Sequence, residues 1–95
     1  MEIFKFEWDE KKNQTNVFKH GIDFKQACVV FYDEHKTIIL DNRKDYGENR
    51  EIIIGKDPES PILLTIVYTE RKNVYRIISA RFSNTKEQNI YHAHY

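Results

Sequence analysis

The sequence predicts an α+β fold: a small antiparallel sheet of four to five strands, two helices in the amino-terminal half and a short helix at the end. Three observations point there. Helix start and stop signals cluster before residue 32 and after residue 82, runs of β-branched and aromatic residues fill 37–81, and the segments dividing those runs are short enough to join antiparallel neighbours.

Residues 2–8, EIFKFEW, set Ile3, Lys5 and Glu7 against Phe4, Phe6 and Trp8, the alternation of a strand with one aromatic face. Asp9 is a helix N-cap candidate, and Gly21 supplies the left-handed residue that commonly follows a helix, so a short helix is expected between them. Asp23 and Gln26 stand in capping-box positions before Phe24, Ala27, Cys28 and Phe31, whose spacing describes an amphipathic helix with Cys28 in its apolar stripe. That cysteine reads as core, having no basic neighbour to activate it. TIILD (37–41), REIIIG (50–55), ILLTIVYTE (62–70) and VYRIISAR (74–81) then read as strands, the third central because it is apolar on both parities except at Thr65. Asn84 and Glu87 form a second capping-box pair that opens the terminal helix.

The 95 residues suffice for one domain, 1–95, with a thin margin of stability. Hydrophobic residues at 40% allow a packed core, and charged residues at 32% a well-solvated surface. A single cysteine permits no internal disulfide and fits a reducing compartment. No apolar run reaches membrane-spanning length and MEIFKFEWDE has no signal-like pattern, so a cytoplasmic protein with no membrane association is expected. Zero formal net charge argues against bulk attraction to nucleic acid, yet residues 71–86 hold Arg71, Lys72, Arg76, Arg81 and Lys86 and no acid.

Glycine-rich phosphate loops, nucleophile elbows and zinc-spaced cysteines are missing, and His92 and His94 point opposite ways on a helix, so neither a cofactor nor a metal is expected. His20 stands at the junction of two predicted elements. It is suited to proton exchange near neutrality, and equally to complementing a helix dipole for about 0.3–1 kcal/mol. Arg50 and Arg81, at strand ends, read either as anion ligands or as edge charges paired with Glu48 or Asp41, the latter worth roughly 0–1 kcal/mol. The stretch NVYRIISAR poses a sharper problem. Strict alternation sends Tyr75, Ile77, Ser79 and Arg81 to one face and Val74, Arg76, Ile78 and Ala80 to the other, so an arginine lies on each.

The strings FEWDEKKNQTNVFKHGIDF, YGENREIIIG, LLTIVYTERKNVYRIISAR and SNTKEQNIY, in this order and over nearly the whole chain, resemble the BrnT family of bacterial toxins. The resemblance implies a fold similar to RelE-type ribonuclease toxins, metal-independent endonucleolytic cleavage of RNA that stops translation, and neutralisation by a BrnA-type antitoxin. That antitoxin would carry a ribbon-helix-helix part, through which alone the pair would reach operator DNA. In such cleavage the ribose 2′-hydroxyl attacks phosphorus, and arginine forks suit the extra negative charge. Arg81 and Arg50 are the first catalytic candidates, with Arg76 next; His20 is the candidate base, and Lys19 could serve only with a strongly depressed pKa. Arg71, Arg76 and Ser79 are candidates for holding RNA, and Tyr46 and Tyr68 for stacking a base, Tyr68 being equally a packing residue. On this reading the first two helices cover one face of the sheet. The other stays open as a shallow basic groove lined by Ser79 and Arg81 and partly overlain by the last helix, with Arg76 at the rim of the opposite face or meeting a helix carboxylate. The rival reading is a catalytically weak subunit that holds an antitoxin in an operon-repressing complex.

Overall fold

The computed structural model describes residues 3–43 and 47–93. In chain order its elements are β1 (Phe6–Trp8), α1 (Glu10–His20), α2 (Phe24–Ala27), a 3-10 segment (Cys28–Tyr32), β2 (Thr37–Asp41), β3 (Arg50–Lys56), β4 (Leu63–Arg71), β5 (Val74–Phe82) and α3 (Thr85–Ala93). The strands form one sheet in the order β1-β5-β4-β3-β2. The four later strands are antiparallel neighbours, as expected, whereas β1 adds beside β5 in parallel, so the sheet is mixed.

The expected caps form. Asp9 accepts from the amides of Lys11 and Lys12, and Gly21 closes α1 at φ 73°, donating its amide to the Val17 carbonyl. Asp23 caps α2 through the Lys25 amide, without the Gln26 bonds of a capping box among the described residues, and the predicted second helix tightens after one turn into the 3-10 segment. Lys72 and Asn73, both at positive φ (50° and 67°), make the two-residue turn between β4 and β5, the hairpin geometry that matches strand twist.

The sheet is covered on both faces. On one, Phe24, Ala27, Cys28, Val30 and Phe31 pack over Ile53, Ile66, Tyr68, Ile77 and Ala80, with the β1 aromatics at the margin. On the other, Tyr91 and Ile90 of α3 cover Ile52, Ile54 and Leu63. Gly55 allows the first layer its close approach, since a Cβ there would lie 2.8 Å from Val30 Cγ1. Buried Asp33 ties the two layers, accepting from the Tyr91 hydroxyl at 2.8 Å and the Lys56 amide at 3.0 Å.

Helix α1 is held differently. It buries no apolar side chain; its buried residues are Asn13 and Asn16. Strand β1 pairs with β5 only as far as Ile77, and beyond that point Asn16 takes over the strand edge. Its amide donates to the Ala80 carbonyl (2.8 Å) and accepts from the Ala80 amide (3.0 Å), as a neighbouring strand residue would, and also donates to the Ile22 carbonyl. Asn13 accepts from the Phe24 amide. Buried backbone groups left without partners are expensive, so Asn16→Leu, which strands three of them, is expected to cost about 2–4 kcal/mol in urea unfolding.

Candidate nucleic-acid interface

An irregularity in β5 answers the arginine problem. Val67 lies opposite Ser79, but Tyr68 lies opposite Ile77, leaving Ile78 as an extra residue in the ladder. Such a bulge shifts the phase of alternation by one. Tyr75, Ile77 and Ala80 therefore share the core face, while Arg76, Ser79 and Arg81, opposite Thr69, Val67 and Thr65, share the other. The predicted grouping of Ser79 with Ile77, and of Arg76 with Ala80, is corrected accordingly. Arg50 is on this same second face, in phase with Ile52 and Ile54.

Each of these arginines meets a carboxylate. Arg76 bonds Glu7 of β1 at 2.5 Å rather than a helix, Arg71 bonds Glu48 at 3.1 Å, and Arg50 lies 3.9 Å from the same Glu48. The partner of Arg81 is neither Glu48 nor Asp41 but Glu87 of α3, through two parallel bonds of 2.7 Å. Glu87 also accepts from the Asn84 amide and the Thr65 hydroxyl, and its own amide donates to Asn84 Oδ1, completing the predicted capping box. Burial pushes the Glu87 carboxyl up, but the bonds from Arg81, the Asn84 amide and Thr65 outweigh it and hold the pKa below the ordinary value. Arg81 thus docks α3 onto the sheet.

Unpaired cations gather elsewhere. A cleft of about 300 Å³ opens between α1 and the β5 edge, lined by Lys11, Lys12, Thr15, Asn16, Lys19, His20, Ile78 and Ser79. Two local features build it. Lys11, Thr15 and Lys19 recur every four residues, with Lys12, Asn16 and His20 beside them, so one side of α1 carries them all. The bulge delivers Ile78 and Ser79 opposite. No acid lines the cleft, and the side chains of Lys11, Lys12, Lys19 and His20 form no salt bridge among the described residues. Three ammonium groups, an imidazole and two hydroxyls around one small cleft suit an oxyanion of phosphate size, and an imidazole there is suited to moving a proton.

Of the predicted site residues, the structure brings together His20, Lys19 and Ser79. Arg76 and Arg81 flank Ser79 along β5 but are engaged, and Arg50 is two strands away. Tyr68 is 1% exposed, its ring against Phe31 and Tyr75 and its hydroxyl donating to Glu51, which leaves no face for a base. Tyr46 lies outside the described residues. Cys28 is buried, which together with the nearby Asp23 charge pushes its thiol up to about 12. Sequence reasoning missed Lys11, Lys12, Thr15 and Asn16, although the fourfold spacing on a helix already recognised was a usable signal.

The family model for the ribonuclease toxin, BrnT, of type II toxin-antitoxin systems matches residues 8–87. The chain belongs to this family. The matched span takes in every residue lining the cleft, as well as the Arg81–Glu87 pair. The family is one of ribonuclease toxins, so RNA and an antitoxin are the partners its type entails. No curated protein matches the chain. Among the described residues no helix is long and apolar enough to cross a membrane.

The Glu87 interaction has a pH signature. A carboxyl held below its ordinary value of 4.5 contributes stability that is present above that pH and is lost as pH falls through the folded-state pKa. Glu87→Gln is expected to lower stability at pH 7 by about 1.5–3 kcal/mol, and the gap to wild type to narrow progressively in urea titrations below about pH 4.5.

Proposed function

We propose that this chain is a cytoplasmic, RelE-like endoribonuclease toxin, a single domain that cuts RNA without a metal ion at the cleft between α1 and β5. The observation that carries the reading is the cluster of uncompensated cations, with His20 among them and Ser79 opposite, inside the span matched by a ribonuclease toxin family. His20 would accept the proton of a ribose 2′-hydroxyl as its oxygen bonds to phosphorus. The phosphorus to 5′-oxygen bond then breaks, and the leaving oxygen takes a proton from Lys19, giving a 2′,3′-cyclic phosphate and a 5′-hydroxyl end. Lys11 and Lys12 hold the neighbouring phosphates, and the Ser79 hydroxyl donates to a non-bridging oxygen. Arg81, Arg76, Arg71 and Arg50 play a lesser part than their number suggests, because a phosphate must compete with the carboxylate each already meets.

Cleavage of messenger or ribosomal RNA would stop translation. A BrnA-type antitoxin with a ribbon-helix-helix part would neutralise the toxin by covering the cleft, and would carry the pair to operator DNA.

Purified protein assayed on RNA in chelator tests this directly. Wild type is expected to cut, leaving cyclic phosphate ends, with kcat reduced at least about tenfold in His20→Ala and Lys19→Ala, each with an unchanged circular dichroism spectrum. Lys11→Ala and Lys12→Ala are expected to raise KM instead, each flattening the salt dependence of binding to single-stranded RNA by about 0.7 in the log–log slope. Protein inert on free RNA and on ribosomes, yet able to repress its operator with an antitoxin, would favour a subunit that serves only to bind its partner. Activity that chelator abolishes would remove the metal-free mechanism.

A further inference from the structure

The sheet has two edges, and among the described residues nothing pairs with the one far from the cleft. Strand β2 is the last in the order β1-β5-β4-β3-β2 and pairs only with β3. Alternate residues of such a strand turn their N–H and C=O outward, and among the described residues those of the run 38–40 meet no hydrogen-bond partner beyond β3. Edges of this kind are normally blunted by proline, a bulge or charge; TIIL has none of these, and the one charge of the strand, Asp41, lies at its end bonded to Arg43. Ile38 and Leu40 are instead 46% and 61% exposed, on the same face of the strand.

We propose that β2 pairs with β2 of a second copy of this chain, antiparallel and centred on Ile39, joining two sheets into one of ten strands. The sequence of β2 is complementary to itself in that register. Directly opposed residues of an antiparallel pair point to the same face, so a two-fold axis normal to the sheet pairs only positions of like parity. Centred on Ile39, the pairing sets Ile38 against Leu40 of the second copy, twice, and Ile39 against itself, with Thr37 against Asp41 at the ends. Moving the centre by one residue in either direction, a slide of two, puts it on Ile38 or Leu40, which matches Leu40 with Lys36 or Ile38 with Asn42 and leaves an apolar side chain against a polar one. Only the first register satisfies all three apolar residues. The pairing also leaves both clefts at the outer ends of the joined sheet, where RNA and an antitoxin that covers the cleft can reach them. An occupant that neutralises by covering the cleft has no use for this edge. With five residues a side the contact falls short of the roughly 1,200 Å² typical of stable complexes, so the dimer forms with rising concentration rather than permanently.

Sedimentation velocity of the full chain without antitoxin, from micromolar to millimolar concentration, is the test. The expected result is a reversible monomer–dimer equilibrium, weakened at least tenfold by Leu40→Lys, an exposed position whose change leaves the circular dichroism spectrum intact. Oxidation of the I38C/L40C variant is expected to trap a covalent dimer joined between position 38 of one chain and 40 of the other. A wild-type protein that stays monomeric across the range, or a dimer unaffected by Leu40→Lys, overturns the proposal. So does a monomer whose binding to the antitoxin is what Leu40→Lys abolishes, since the edge then belongs to that partner. None of these outcomes depends on RNA cleavage, so this inference and the proposed function fail separately.

Discussion

One extra residue in β5 sets the chemistry of both faces of the sheet. Were Ile78 matched in the ladder, Arg81 would point into the apolar layer occupied by Phe24, Ala27 and Phe31, where an unpaired guanidinium costs several kcal/mol, and Ala80 would leave it. The bulge instead keeps Ile77 and Ala80 in the core and turns Arg76, Ser79 and Arg81 outward together. It also sits where β1 stops pairing, at the transition from a strand neighbour to a helix neighbour. A ladder whose partner changes at Ile77 can accept an unmatched residue at Ile78 without forfeiting the hydrogen bonds of a regular edge.

Zero net charge conceals two different populations of cations. Arg76, Arg71 and Arg81 bond Glu7, Glu48 and Glu87, Arg50 lies 3.9 Å from Glu48, and the Arg81–Glu87 pair, partly shielded from water, fixes the last helix in place. The Asp41–Arg43 pair belongs to the same structural class; the hydrogen bond from Arg43 holds the Asp41 carboxyl below its usual range despite its burial. The lysines make no salt bridge among the described residues, and three of them, Lys11, Lys12 and Lys19, gather on one side of α1 around a cleft that no acid lines. A locally positive cleft on a neutral molecule attracts phosphate at short range without binding polyanions over its whole surface, since screening removes interactions beyond about 8 Å at physiological ionic strength.

The caps at Asp9, Gly21, Asp23 and Asn84, the strand runs and the burial of Cys28 were legible because each depends on residues within a few positions of one another. The bulge was not. Alternation in VYRIISAR is unbroken as text, and only the pairing of Val67 with Ser79 but Tyr68 with Ile77, a long-range fact, reveals the change of phase. Arginines on both parities were the trace it left, and a strand with that pattern is better read as bulged than as two-faced. The same limit hid the carboxylates that meet Arg76 and Arg81, one of them 69 positions away along the chain. Asn16 escaped for a different reason: asparagine ordinarily competes with helical backbone bonds, and nothing near it in the sequence marks it as a buried clamp.

That clamp explains why the cleft can exist. A helix held by an apolar stripe must fill its inner side with large aliphatic side chains, which leaves cations only on the side turned to water. Helix α1 is fastened by amide groups at Asn13 and Asn16, the second bonded to backbone alone and the first to the Phe24 amide and the carboxylates of Glu10 and Asp23, and Asp9 orients its first turn from the end of β1. The positions on either side of Asn16 are thereby free to carry Lys12, Thr15, Lys19 and His20 toward β5 instead of leucines. The same economy leaves Phe18 91% exposed on the outer side, as no core requires it. Polar fastening therefore does more than replace packing: it lets the side of a helix that faces a strand edge carry charge, with Lys12 and Lys19 exposed and His20 half-buried at its end.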